Sequence, residues 1–174
     1  LSRLVNDKWF KKGVSSEAIT INAYEMLQKA YIKFAYTKLK GSSDFAIFPN
    51  NFQDKIFINY HSVLLAMNAQ HGLRPHNRKY YFNTLKWTFE PIYYDGNVNL
   101  SLLAPLTEAN KLLPYPPDDE FIQLLFSMKK NDELFDEFLK RVFVNKEKKT
   151  FFSSSMDQFQ KNLKALKKNI SMQQ

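Results

Sequence analysis

The sequence predicts a mainly α fold carrying one small β-hairpin, an α+β arrangement within a single 174-residue domain. Three observations carry that expectation. Apolar residues recur at spacings of three and four along several long stretches, as in helices buried along one face. A single region, residues 79–93, has aromatic and β-branched runs of strand length split by a polar turn. Glycine and most of the prolines fall between these segments, where breakers belong.

Residues 1–14 show no clear periodicity, and Gly13 marks a break. Ser15 or Ser16 can cap the next element, because a hydroxyl accepts from the first unpaired helix N–H groups. Ala23, Met26, Leu27, Ala30, Tyr31, Phe34 and Ala35 then give an apolar stripe with Lys29, Lys33 and Lys38 off it. The spacing predicts a helix over 16–40, stopped at Gly41-Ser42-Ser43. Residues 44–53 read as a loop or short strand interrupted by Pro49. A second helix is expected from 53 to 69, with Ile56, Tyr60, Val63, Leu64 and Met67 inward. Gly72 then reads as the left-handed residue ending it. The hairpin comes next, Lys79–Phe82 against Trp87–Tyr93, with a turn at Asn83-Thr84-Leu85-Lys86. Asp95-Gly96-Asn97, residues that tolerate positive φ, close it. Residues 98–117 are irregular and broken by four prolines. Three helices complete the chain. The first starts at Asp118 or Asp119 and carries Phe121, Leu124, Leu125 and Met128; the second starts at Asn131 or Asp132 and carries Leu134, Phe135, Phe138, Leu139 and Val142. The last has Met156, Phe159, Leu163, Leu166 and Ile170 on one face and Lys161, Lys164 and Lys168 opposite.

Composition limits the function classes. With 44% apolar and 24% charged residues the chain is neither disordered nor collagen-like. No apolar run approaches the ~20 residues of a membrane span, and the absence of cysteine excludes disulfides and thiolate metal sites. The net charge of +8 favours encounters with anions. Its lysines are spread through the chain, however, as on solvated helix faces. Leu1 in place of Met suggests a processed product or a piece of a longer polypeptide.

The reactive residue types concentrate between His71 and Asn97. A hairpin returns the chain near its start, so a loop before it and a loop after it converge. Asn77 precedes the first strand and Asp95 follows the second. An amide oxygen and a carboxylate so placed suit a hard cation such as Mg²⁺, or are turn residues bonding their own backbone. His61 falls mid-helix and reads as structural. His71 and His76 are five apart with no third ligand in view, so zinc is not expected. Tyr80, Tyr81, Phe82, Trp87 and Phe89 beside Arg78 and Lys79 can form a base-stacking platform; an aromatic hairpin packed on helices accounts for them more simply.

The run Gln70–Asn77, QHGLRPHN, resembles the protein-kinase catalytic loop, with Leu73, Arg74, Pro75 and Asn77 in register. The hairpin then ends in Tyr94-Asp95-Gly96-Asn97, where kinases place the metal-binding Asp-Phe-Gly. His76-Asn77 before an aromatic strand, with Phe89-Glu90-Pro91-Ile92-Tyr93-Tyr94-Asp95 after it, is most similar to the atypical kinases of the spore-coat CotH family, and more distantly to HipA-type kinases. The resemblance covers residues 70–99. It implies a kinase-like C-lobe, with Asn77 and Asp95 as metal ligands holding ATP and Mg²⁺ for phosphotransfer to a protein or other hydroxyl substrate. It also implies a bacterial source, an upstream N-lobe of the same polypeptide as partner, and a setting in the cell envelope or outside the cell.

Three departures stand against it. The carboxylate base of a kinase sits five residues before the metal-binding Asn, and here that position is Gly72. His71 or His76 is the candidate substitute, since imidazole can act as a general base. Asp95 is followed by Gly96-Asn97 rather than Phe-Gly. Finally, four glycines at 13, 41, 72 and 96 leave no phosphate-covering glycine loop, and the residues before the catalytic-loop run read as helices. The expectation is therefore a kinase-like domain, with a catalytically inactive pseudokinase or protein-interaction module as the alternative, and a basic nucleic-acid-binding domain as a third.

Overall fold

A computed structural model describes residues 7–40, 51–107, 113, 116–130, 137 and 146–172. Among these the chain is mainly helical with one two-stranded antiparallel sheet. The helices are α1 (Asp7–Phe10), α2 (Val14–Leu39), α3 (Asn51–Ala66), α4 (Asp119–Lys130) and α5 (Lys146–Ser171). Strands β1 (Lys79–Asn83) and β2 (Thr88–Ile92) lie between α3 and α4. No helix among the described residues is long and apolar enough to cross a membrane. The helix expected from 131 or 132 and the segment around Pro49 lie outside the described residues.

The long N-terminal helix starts at Val14, two residues before the expected 16, so Ser15 and Ser16 lie inside it and do not cap it; Ser16 is buried and its hydroxyl donates to Gly13 O at 2.7 Å. Only part of the expected stripe faces inward. Ala23 is buried and Leu27, Ala30, Tyr31 and Phe34 pack beside it, whereas Met26 and Ala35 are exposed. Alpha2 has apolar residues on several sides, so sequence spacing alone does not single out the buried one.

Helix α3 is the centre of the molecule. Towards its start it meets α2 and the hairpin through Phe57, which packs with Ala23 and Phe89. Its last turn, Leu64, Leu65 and Ala66, joins the main core with Leu113, Ile122 of α4, and Phe159, Leu163, Leu166 and Ile170 of α5. The α5 stripe is thus the one the sequence predicts. In α4, Ile122 is buried and Leu125 packs on the core while Leu124 is exposed, a rotation of the stripe by about a quarter turn from expectation.

Alpha3 ends three residues early, and Gly72 is not its left-handed cap. Asn68 takes that conformation, with φ 53°. Ala69 N–H donates to Leu64 O at 2.7 Å and Asn68 N–H to Leu65 O at 3.0 Å, the paired bonds of a Schellman ending. Asn tolerates positive φ better than most residues with a Cβ.

The hairpin pairs Lys79 with Ile92, Phe82 with Phe89 and Asn83 with Thr88. Tyr80, Phe82 and Phe89 point at α2 and α3, with ring centroids 5.0 Å apart for Phe82–Phe89 and 5.9 Å for Phe57–Tyr80. Asn83 Oδ1 accepts from Leu85 N–H and Lys86 N–H, so a side chain closes the turn. Tyr81 and Trp87 face outward. The aromatic cluster is therefore chiefly hairpin packing.

Candidate functional site

The segments that build the site are the double turn after α3 and the loop after β2. Once Asn68 has reversed the chain, Gln70–Leu73 and Pro75–Asn77 form two successive 3-10 turns, joined at an extended Arg74. Arg74 takes this conformation because the ring of a following proline disfavours the helical region; its side chain is exposed. Arg78 then ties the loop to the hairpin, its Nε–H donating to Leu73 O at 2.8 Å. Beyond β2, Tyr60 donates its hydroxyl to Ile92 O at 3.1 Å, fixing the exit of the hairpin on α3. Burial raises the Tyr60 hydroxyl pKa, with Tyr93 adding to the effect and Arg78 opposing it.

Residues 93–97 return to the 3-10 turns. Asp95 (φ 47°) and Asn97 (φ 53°) both take the left-handed conformation the sequence allows for them. Between them Gly96 is buried against Tyr93 and Ala69, and a Cβ there would fall 2.5 Å from Tyr93 Cε2. Gly72 lies directly beneath. Its missing Cβ would sit 3.1 Å from Tyr94 O and 3.3 Å from Gly96 Cα. The two glycines are what lets these segments touch, and a close approach, not a positive φ, is what Gly72 provides.

Three of the other expected residues gather around His71. Its Nε2 lies 3.3 Å from Asp95 Oδ2. Its backbone oxygen accepts from Asn77 Nδ2 at 3.0 Å. The ring of His76 stands edge-on to it, with centroids 6.3 Å apart. Asn77 is 6% exposed and Asp95 has 56% of its side chain in solvent, so one oxygen-bearing group is fixed and the other presented. Asn77 spends its amide nitrogen on His71 O, which leaves Oδ1 as its acceptor atom.

Chemically the arrangement offers an amide oxygen and two imidazoles on the double turn, with a carboxylate from the loop packed against it. Among the described residues no group of three His, Asp or Glu side chains could hold a metal alone. A cation here would draw its other ligands from water or from a phosphate. Lys79 adds positive charge, with Nζ over the Tyr94 ring at 3.3 Å from the centroid. His61, by contrast, is buried in α3 between Phe57 and Tyr60. The cavity bounded by Phe57, Tyr60, Leu73 and Pro91 is about 10 Å³, room for a water molecule and no more.

Two supporting residues are not singled out by the sequence. Lys79 reads there only as part of a basic flank. Asn162 of α5 is buried and donates from Nδ2 to Ala66 O and Leu102 O, both at 2.9 Å, while Gln158 Nε2 donates to its Oδ1. With Asn68 Nδ2 bonded to Leu102 O and Asn99 N–H to Met67 O, it pins residues 99–102 to the end of α3. A signal for it exists: an amide lying next to Leu163 within the apolar stripe of α5. Compared with protein families, curated proteins and solved structures, the chain matches none.

Proposed function

We propose that residues 70–97 form a Mg²⁺–nucleotide site in a kinase-like C-lobe of the CotH type, which in the full-length protein supports phosphotransfer to a hydroxyl substrate. The observation that carries this reading is the convergence on His71 of Asp95, at 3.3 Å, and Asn77, at 3.0 Å. The donor set fits the group. Mg²⁺ is held by one or two protein oxygens together with waters and substrate phosphates, and Asn77 Oδ1 and Asp95 are such oxygens. When bound, the ion would neutralise charge on the phosphate oxygens.

The chain's own residues divide the remaining work. His71 is a positioning residue: its Nε2 orients the Asp95 carboxylate and its carbonyl fixes the Asn77 amide. His76, exposed and beside it, is left to accept a proton from a substrate hydroxyl. Arg74 and Lys79 contribute cationic character at the rim.

A second reading, a nucleotide-binding module without transfer, is favoured by Gly72. The backbone at Tyr94 and Gly96 crowds that position, so the chain is built for glycine where a kinase has its base. Calorimetric titration with ATP, with and without Mg²⁺, tests both readings on this chain and on one extended upstream of Leu1. Metal-dependent binding that disappears in Asp95→Ala is expected. Absence of such binding in the extended chain would refute both. Autophosphorylation lost in His76→Ala would select the enzyme, and binding without any transfer would select the module.

A further inference from the structure

Helix α2 carries a second apolar stripe that packs against no other element among the described residues. Its buried side is centred on Ala23 and Ala30. On the opposite side, residues 14, 18, 21, 25, 28, 32, 35 and 39 follow alternating steps of four and three, the heptad spacing of a helix-pairing seam. All are exposed except Gln28, which is half-buried; Val14, Ile32 and Leu39 stand 83%, 67% and 87% in solvent. Such a stripe on a helix whose other side is already packed needs a partner.

The seam is also close to a palindrome. Reading inward from the N-terminal end gives Val14, Ala18, Ile21 and Glu25; reading inward from the C-terminal end gives Leu39, Ala35, Ile32 and Gln28. Laid antiparallel on its own copy about a two-fold axis between residues 26 and 27, each layer matches. Val14 meets Leu39, small Ala18 meets small Ala35, Ile21 meets Ile32, and Glu25 meets Gln28. Alanine layers let the two backbones approach, and the two central polar layers fix register.

Glu25, which on its own helix reaches Lys29 at 3.7 Å, faces Gln28 of the copy across the two-fold axis, so no like charges meet at the centre of the seam. At each end, Leu39 of one α2 would reach the groove of about 310 Å³ bounded by Trp9, Lys12 and Val14.

We infer that α2 is a self-association surface, on which a second copy of this chain docks antiparallel through the Val14–Leu39 seam. The seam shares no residue with the site of residues 70–97, so either can fail without the other.

Sedimentation velocity up to about 100 µM tests it, with variants at exposed positions. The wild type is expected to be a dimer. Ile21→Lys and Ile32→Glu should each weaken association roughly tenfold or more, because each sets a charge against an isoleucine. The double variant, which pairs Lys with Glu in the copy, should restore it; restoration also excludes misfolding as the cause. Orientation is read by thiol cross-linking, since the chain has no cysteine. A mixture of Ala18→Cys and Ala35→Cys should cross-link with a short bismaleimide, whereas Ala18→Cys alone should not. In the antiparallel pair its two copies lie roughly 26 Å apart along the helix axis. A monomeric wild type, a dimer indifferent to both single variants, failure of the double variant to rescue, or cross-linking of Ala18→Cys to itself would each overturn the inference.

Discussion

Replacing Gly72 by alanine puts a methyl group 3.1 Å from Tyr94 O, 3.3 Å from Gly96 Cα and 3.5 Å from Leu64 Cδ1. The first two are backbone atoms and cannot swing aside as a side-chain tip can. Either the 3-10 turn or the 93–97 segment must therefore retreat by a few tenths of an ångström. Overpacking of this kind costs about 1–3 kcal/mol. Alanine recovers about 0.4–1 kcal/mol by restricting the unfolded chain. From the middle of both ranges the net expectation is a loss of about 1 kcal/mol, or roughly 2–4 °C in Tm for a chain of this length. Thermal and urea unfolding measure it. Because the retreat moves Asp95 from His71, the affinity of the proposed site for Mg²⁺–ATP should fall with stability. Gly72→Asp, the change that would insert a kinase-like base, should be worse, since it sets a carboxylate beside the Tyr94 carbonyl, and it should gain no transfer activity. A Tm for Gly72→Ala at or above the wild-type value would refute the contact argument.

Two further predictions concern stability. Asn162→Leu keeps the branched shape but leaves Ala66 O without its side-chain donor and Leu102 O with that of Asn68 alone, at a cost of about 1–3 kcal/mol; a urea midpoint equal to wild type would contradict this. Burial, then Tyr31, drives the Tyr80 hydroxyl pKa far above its ordinary value of 10.0, with Arg78 opposing. Its phenol stays neutral in the folded state while the unfolded chain ionises near pH ~10. The stability it lends is complete below that pH and is lost as pH rises beyond it. Tyr80→Phe should therefore show a flatter decline between about pH 9.5 and 11, as should Tyr60→Phe to a lesser degree, and identical slopes would contradict the assignment.

How legible these features are in the sequence depends on their kind. The last helix is readable down to Phe159, Leu163, Leu166 and Ile170, because one wide apolar face and one lysine face leave a single way to bury it. The hairpin is equally plain, since its strands and turn obey different compositions. Alpha2 is evident as a helix but not in its rotation: with apolar residues on two sides, Met26 and Ala35 can be placed inward on paper though they are exposed. Gly72 misleads because glycine serves both positive φ and close approach, and only the neighbouring backbone separates the two. That neighbour, residues 94–96, lies more than twenty positions away. The meeting of the two loops comes from hairpin geometry, so Asn77 and Asp95 can be named. That His71 links them through a ring nitrogen on one side and a carbonyl on the other depends on the 3-10 turns, which no residue pattern announces.

The most direct measurement of the proposed site uses Mn²⁺–ATP as a paramagnetic substitute for Mg²⁺–ATP. Broadening is followed at the Asn77 side-chain amide and at the Gly72, Gly96 and Gly13 backbone amides. If Asn77 and Asp95 hold the ion, the signals of Asn77, Gly72 and Gly96 broaden strongly, Gly13 at the start of α2 does not, and Asp95→Ala abolishes the pattern. Uniform broadening, or broadening centred away from Asn77 and unaffected by Asp95→Ala, would contradict the site.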